Sequence, residues 1–285
     1  MKNLRERILE HKPLVVLPAV DAFCAKEAYN AGAEAIWIGS FELSTRLGIE
    51  DSYILGATDM FYSIFNIRKS LGDKIHIIVD ADNGYGGLKS VENAFRGFNI
   101  LGVDLAFIEN KKTGIDKVNS LESSVEYKNQ LESFDKLKRK LQIAKEVQKQ
   151  FNKTMVGIRI ENLVMGQNIK KVVNLILEIE KYEPDIILIH EKLSNPNRLF
   201  EVADAYNKIS GSIPLAAVTT TYGRNVSKED LFQHGFKILI YPNHHIRREY
   251  SYSKNDYYTL LNDKTAGGAL DDLISSPLEL LKRKK

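Results

Sequence analysis

Asp80-Ala81-Asp82-Asn83-Gly84-Tyr85-Gly86-Gly87 follows directly on the apolar run Ile75-His76-Ile77-Ile78-Val79. Two carboxylates at i and i+2, where a buried strand gives way to a glycine-rich turn, are poorly placed for a core. They suit a hard cation such as Mg²⁺, and the glycines let backbone approach a ligand. Other apolar runs also end in polar groups. Glu109 follows Leu105–Ile108, Arg159 and Glu161 close Met155–Ile160, and His190 follows Ile186–Ile189. Thr219 and Thr220 follow Leu215–Val218, and Asn243 and His244 follow Lys237–Ile240. One such residue is what any strand leaving a core must show. Six runs in succession, with acids on the third and fourth and cations on the fifth and sixth, read as a metal flanked by anion-binding groups.

Charge balance sharpens this reading. Asp80, Asp82 and Glu109 bring three negative charges to one mouth, which is costly unless a cation is present. All-oxygen donors, with no cysteine and no histidine pair, favour Mg²⁺ or Mn²⁺ over zinc. Mg²⁺ usually keeps several waters, so some of these acids should act through water. Arg159 can grip a carboxylate or phosphate bidentately, and His190 can add a donor. The implied ligand is a small, doubly anionic chelator of Mg²⁺, a 2-oxo acid or a phosphorylated acid.

The elements that must position these groups are eight short runs: Leu14–Leu17, Ala35–Ile38, Ile75–Val79, Leu105–Ile108, Met155–Ile160, Ile186–Ile189, Leu215–Val218 and Lys237–Ile240. They are continuously apolar, as strands of a parallel sheet buried on both faces should be. Between them lie amphipathic stretches, Ala22–Asn30, Phe134–Gln150, Ile169–Lys181, Asn197–Ile209 and Ser227–His234, the last with Ser227 as N-cap. Eight strand–helix units without a Pro/Gly/Ser linker predict one (β/α)₈ TIM barrel over residues 1–285, a fold that needs about 250 residues and carries its chemistry at the C-terminal strand ends. A doubly wound open sheet is the alternative. Against it, Pro18-Ala19-Val20-Asp21-Ala22 stands where a nucleotide-binding glycine fingerprint would be. A tail from about 255 to 285 is expected to be helical, packed on a neighbouring subunit of a homodimer or homotetramer or on its own barrel.

Composition excludes several function classes. The chain has 285 residues, 44% apolar and 27% charged, with a formal charge of +3. Much of that excess is local, in Lys136–Lys140 and Lys282–Lys285, so no nucleic-acid partner is expected. The single cysteine, Cys24, excludes an intramolecular disulfide and a cysteine zinc site and fits a reducing compartment. No apolar stretch reaches about 18 residues and the N-terminus has no secretory core, so a cytoplasmic protein with no membrane partner is expected. Asn243-His244-His245 at a strand end would send its two histidines in opposite directions, against a metal pair. Tyr250, Tyr252, Tyr257 and Tyr258 read as a packing or subunit surface.

The chain resembles the phosphoenolpyruvate mutase/isocitrate lyase superfamily from Leu14 to about Arg247. The resemblance rests on Ala35-Ile36-Trp37, Leu47-Gly48-Ile49-Glu50-Asp51-Ser52, Asp80-Ala81-Asp82-Asn83-Gly84-Tyr85-Gly86 and Ile108-Glu109-Asn110-Lys111. Further matches are Lys117-Val118-Asn119-Ser120, Arg159-Ile160-Glu161, Ile189-His190 and Pro242-Asn243-His244. It implies that Asp80 ligates Mg²⁺ directly, with Asp51, Asp82 and Glu109 in a water-mediated shell. It implies that Trp37 and Gly39-Ser40-Phe41 border the substrate, with backbone amides on its anionic end. Arg159 and His190 would hold a phosphoryl group. Lys117, Asn119 and Ser120 would lie on a mobile loop of about 110–125 that excludes water.

Trp37 and the Lys-x-Asn-Ser segment point toward the mutase branch. The activity so implied interconverts phosphoenolpyruvate and phosphonopyruvate, the first step of phosphonate biosynthesis. A phosphonopyruvate hydrolase, a C–C lyase or decarboxylase of another 2-oxo acid, and an inactive barrel acting as an assembly partner are the alternatives. The departures are specific. Gly39 stands where the mutase pattern has serine, with Ser40 one place later, and Asn110 replaces an acid. Seven residues rather than five separate Glu109-Asn110-Lys111 from Asn119-Ser120, and Thr113 stands where the lyases carry cysteine. Cys24 is expected to pack inside the first helix.

Overall fold

The computed structural model describes residues 2–112 and 130–262. Eight parallel strands close into a barrel in chain order: β1 Leu14–Pro18, β2 Ala35–Ile38, β3 His76–Asp80, β4 Leu105–Glu109, β5 Met155–Ile160, β6 Ile186–Ile189, β7 Leu215–Val218 and β8 Phe236–Ile240. Closure is made by β1 on β8, with Leu14 opposite Ile238 and Val16 opposite Ile240. The (β/α)₈ architecture is therefore as expected, and each strand is within a residue of its apolar run. The helices are α1 Leu4–Ile8, α2 Ala22–Asn30, α3 Ser40–Leu47, α4 Ala57–Leu71, α5 Leu88–Leu101, α6 Phe134–Phe151, α7 Ile169–Glu180, α8 Asn197–Ile209, α9 Lys228–Gln233 and α10 His244–Asn262.

The strands are apolar throughout because each is buried twice. Residues such as Leu14, Val16, Trp37, Ile78, Phe107, Leu188 and Ile238 fill the barrel, and their alternates such as Ile36, Ile77, Ile108, Val156 and Ile187 meet the helices. Inside, the Trp37 and Phe107 rings stand 6.0 Å apart. Gly157 on β5 is what admits Phe107, since a side-chain carbon there would overlap its ring. Helix starts follow their caps: Ser133, Asn168 and Ser227 each accept a bond from the backbone N–H three residues on.

The chain divides into two compact units, the barrel through Asn243 and a second from His244. The expected tail helix starts earlier than predicted, at His244, and residues 263–285 lie outside the described residues. His244 and His245 thus sit on the first turn of α10 rather than at a strand end, which corrects the opposite-direction expectation. The reason is local: Pro242 and Asn243 end the extended segment and the helix begins at once. Within α10, the Arg248 guanidinium lies over the Tyr252 ring at 4.8 Å. No helix among the described residues is long and apolar enough to cross a membrane.

Candidate active site

A pocket opens at the C-terminal mouth of the barrel. The turn after β3 is its most constrained wall. Asp82 and Tyr85 both hold positive φ, 44° and 59°, conformations that persist only where neighbours fix them. Ser40 Oγ donates to Asp82 Oδ1 at 2.9 Å, and Asp82 N–H donates to Asp80 Oδ1 at 3.2 Å. Glu109 N–H donates to Asp82 O at 2.7 Å, and the Tyr85 hydroxyl donates to Asp80 O at 3.2 Å. From α6, the buried Lys140 ammonium donates to Asn83 O at 2.8 Å. The acids are thereby presented to the mouth on a turn tied from α3, β4 and α6.

Across the mouth, β5 and the residue after β6 supply the basic groups. Arg159 Nη1 meets Asp80 Oδ2 at 2.5 Å and Arg159 Nε meets Glu161 Oε1 at 2.6 Å. His190 Nδ1 lies 3.0 and 3.1 Å from the two Glu161 oxygens and 3.2 Å from Arg159 Nη2. A proton on Nδ1 bonded to Glu161 is the assignment that satisfies this buried carboxylate, and it turns Nε2 toward a ligand. Burial opposes charge on Arg159, but Glu161, Asp80 and Glu109 outweigh it and hold the guanidinium well above its ordinary pKa. Burial would raise Glu161 too, yet Arg159, His190 and Lys111 hold it well below the carboxylate range. Both charges therefore stay on at neutral pH.

Asn110, a departure from the superfamily pattern, has a structural task. Its Oδ1 accepts the Glu161 N–H at 2.9 Å and its Nδ2 donates to Asn162 Oδ1 at 2.7 Å, fixing the end of β5 to that of β4. Glu109 Oε1 accepts the Tyr53 hydroxyl at 3.2 Å, and Lys111 Nζ lies 3.6 Å from Glu109 Oε2.

Residues 4–260 match the family model of phosphoenolpyruvate phosphomutase. The chain belongs to that family. It is 25% identical over 237 residues to a phosphonopyruvate hydrolase from Variovorax sp. (strain Pal2), spanning 83% of this chain and 75% of the relative. It is 24% identical over 231 residues to a phosphoenolpyruvate phosphomutase from Streptomyces viridochromogenes, spanning 81% and 70%. The crystal structure of a phosphoenolpyruvate phosphomutase from Streptomyces platensis subsp. rosaceus superposes with a TM-score of 0.87 at 26% identity, over 98% of this chain and 92% of that one. A phosphonopyruvate hydrolase complexed with oxalate and Mg²⁺ superposes at 0.85 and 22%, over 98% and 92%, which shows the shared fold. Members of the family are enzymes, and relatives of both activities match this chain about equally.

Most residues expected to form a family site do come together. Trp37, Gly39, Ser40 and Phe41 line one side of the pocket; Asp51, Asp80, Asp82 and Glu109 line another; Arg159 and His190 close it. Thr220 and Asn243 also reach it, whereas Thr219 turns its hydroxyl to Ile240 O at 3.2 Å. Lys117, Asn119 and Ser120 lie outside the described residues. The pattern shift at position 39 resolves physically. A side-chain carbon on Gly39 would overlap Glu42 Oε2 and stand 2.6 Å from Trp37 Nε1, so the hydroxyl near the acids belongs to Ser40.

Sequence reasoning missed Glu42, Tyr53 and Lys140, and gave Glu161 no role. Glu42, 3% exposed, lines the pocket, and burial among like charges pushes its carboxyl up to about 8. An acid amid Gly39-Ser40-Phe41 and Leu43, three places after a glycine N-cap, was the available signal.

The donor chemistry fits Mg²⁺. Asp51, Asp80, Asp82, Glu109 and Glu161 are five carboxylates against the two permanent cations Lys111 and Arg159, a formal excess of three negative charges. Oxygen donors with such an excess suit a hard divalent ion. Among the described residues no three His, Cys, Asp or Glu side chains are grouped to hold an ion directly.

Proposed function

We propose that the protein is an Mg²⁺-dependent phosphoenolpyruvate mutase, interconverting phosphoenolpyruvate and phosphonopyruvate. The observation that carries the reading is the single pocket in which Arg159 and His190, both braced by Glu161, face Asp80, Asp82 and Glu109. Such a pocket takes a ligand with one anionic end for the cations and one chelating end for a metal. Asp80 would ligate the ion, or Mn²⁺ in its place, with Asp51, Asp82 and Glu109 acting through its waters. When bound, Mg²⁺ would neutralise the carboxylate and 2-oxo oxygens of the substrate.

The chain's own groups do the rest. Arg159 holds the phosphoryl group as charge spreads over its oxygens, and His190, carrying a second proton on Nε2, donates to it as well. Trp37 and Phe41 cover the other flank. In the mutase reaction a P–O bond breaks and a P–C bond forms within one molecule, so no water enters and no proton is gained or lost. Lys117, Asn119 and Ser120, by their sequence pattern, serve the loop that keeps water out. The reading carries with it a cytoplasmic homodimer or homotetramer in phosphonate biosynthesis.

A second reading, phosphonopyruvate hydrolysis to pyruvate and phosphate, is favoured by the two-residue-longer spacing before Asn119 and by the Variovorax relative. ³¹P NMR with phosphonopyruvate and Mg²⁺ decides. Conversion to phosphoenolpyruvate supports the mutase, inorganic phosphate supports the hydrolase, and an unchanged spectrum overturns both.

A further inference from the structure

Glu42 is an acid of this pocket with no part in the reaction as proposed. It is the third residue of α3, and its carboxyl folds back toward the N-cap, accepting a bond from its own backbone N–H. There it lies against Gly39, close enough that a side-chain carbon on Gly39 would overlap it. Trp37 Nε1 points into the same place, 2.6 Å from that carbon position. This indole N–H is buried and has no hydrogen-bond partner, although Trp37 is 1% exposed and lines the pocket. A buried donor without an acceptor is a standing cost that a bound oxygen would remove.

The charged groups facing Glu42 are Asp80 from β3, Asp51 from the segment after α3, and Arg159 from β5. Burial is the chief cause that disfavours its anion, and its own backbone N–H and Arg159 only partly offset it, so at neutral pH the carboxyl keeps its proton. It is then a donor rather than an acceptor. An O–H and an unpartnered indole N–H stand together beside Gly39, and what such a corner accepts is an anionic oxygen.

We propose that Glu42 is a substrate-binding residue, whose carboxyl O–H and the neighbouring Trp37 N–H together hold the carboxylate end of the substrate. Gly39, where the mutase pattern has serine, is the glycine that makes room for the Glu42 carboxyl. The inference rests on the reading of the pocket as a 2-oxo acid site.

The probe is oxalate with Mg²⁺, titrated calorimetrically into the full chain and into E42Q and E42A. The titrations run from about pH 6.5 to about 9, a range over which oxalate stays a dianion. Wild-type affinity should fall about tenfold per pH unit above about 8, as an ionised Glu42 repels the ligand. E42Q, which keeps a donor, should bind within a few-fold of wild type at pH 7 and lose this pH dependence. E42A should bind about tenfold or more weakly at pH 7. A merely structural Glu42 would move the melting temperatures of the variants but not the pH profile.

Wild type and E42Q with parallel profiles overturn the inference and leave the reading of the pocket standing. Should E42Q not fold, proton uptake by wild type carries the same test, read at about pH 8.5 in buffers of differing ionisation enthalpy. Uptake of about three-quarters of a proton is expected, and none overturns the inference. A wild type that neither binds oxalate nor turns over phosphonopyruvate overturns both.

Discussion

Replacing Glu161 with glutamine tests whether one buried carboxylate organises the anion-binding half of the pocket. Glu161 is fully buried, 2.6 Å from Arg159 Nε and 3.0 Å from His190 Nδ1. Glutamine keeps the shape and one acceptor oxygen but sets an NH₂ against donors. Removing one partner of a buried ion pair costs about 3–5 kcal/mol, and the retained acceptor returns about 1, so a loss of about 3 kcal/mol is expected. That is roughly a hundredfold in the folding constant. Urea unfolding at pH 7 reads it, with the denaturant slope unchanged.

The pH dependence gives the sign. Glu161 has its pKa held well below the ordinary glutamate value of 4.5, because Arg159, His190 and Lys111 outweigh its burial. Its contribution is fully present above that ordinary value and is lost as pH falls through the lower folded one. The gap between wild type and E161Q should therefore be constant from about pH 5.5 to 7 and narrow below about pH 4. A loss under about 1 kcal/mol at pH 7, or a gap that widens on acidification, refutes the reasoning.

Asp80→Ala should abolish metal-dependent turnover while the barrel stays folded. The Mg²⁺-induced rise in thermal stability, about 2.7 kcal/mol at a hundredfold excess over Kd for wild type, should vanish with it. Retained Mg²⁺-dependent activity in that variant would refute the metal assignment. Gly157→Ala sets a methyl group against the Phe107 ring, which in turn packs on Trp37. Overpacking of this kind should lower stability by about 1–3 kcal/mol in urea unfolding, and an unchanged midpoint would show that Phe107 can move aside.

The barrel was legible because each strand is buried on both faces and so leaves an unbroken apolar run. Most of the metal and anion groups were legible for the complementary reason: Asp80, Asp82, Glu109, Arg159, Glu161 and His190 stand at or just beyond the polar ends of those runs. Helices α3, α4 and α5 were not singled out. α3 is a short element built around the site, with glycine N-cap and C-cap, and α5 carries Gly97 because Phe61 packs where its side chain would be. Glu42 and Tyr53 escaped because they enter from a helix and from the segment after it, where no strand end marks them. The start of α10 escaped because periodicity was read from the tyrosines onward, whereas Asn243 ends the barrel and the next residue already begins the helix.

Two departures from the superfamily pattern, Gly39 and Asn110, are the part that sequence alone misstates, because each is half of a pair. Gly39 taken singly is a lost serine; beside Glu42 it is the only residue that leaves the carboxyl its place. Asn110 taken singly is a lost acid. In the fold its amide accepts from Glu161 N–H and donates to Asn162 Oδ1, while Asn162 Nδ2 is given to Gln167 Oε1 at 3.0 Å. A carboxylate at 110 could accept from Glu161 but would face the Asn162 oxygen, acceptor against acceptor, in a buried corner where an unmade bond is expensive. The asparagine therefore maintains Glu161, and through Glu161 it maintains Arg159 and His190. A closely packed, charge-balanced pocket accepts changes in compensating pairs, so Gly39 and Asn110 are consistent with a working anion site and are no sign of a decayed one.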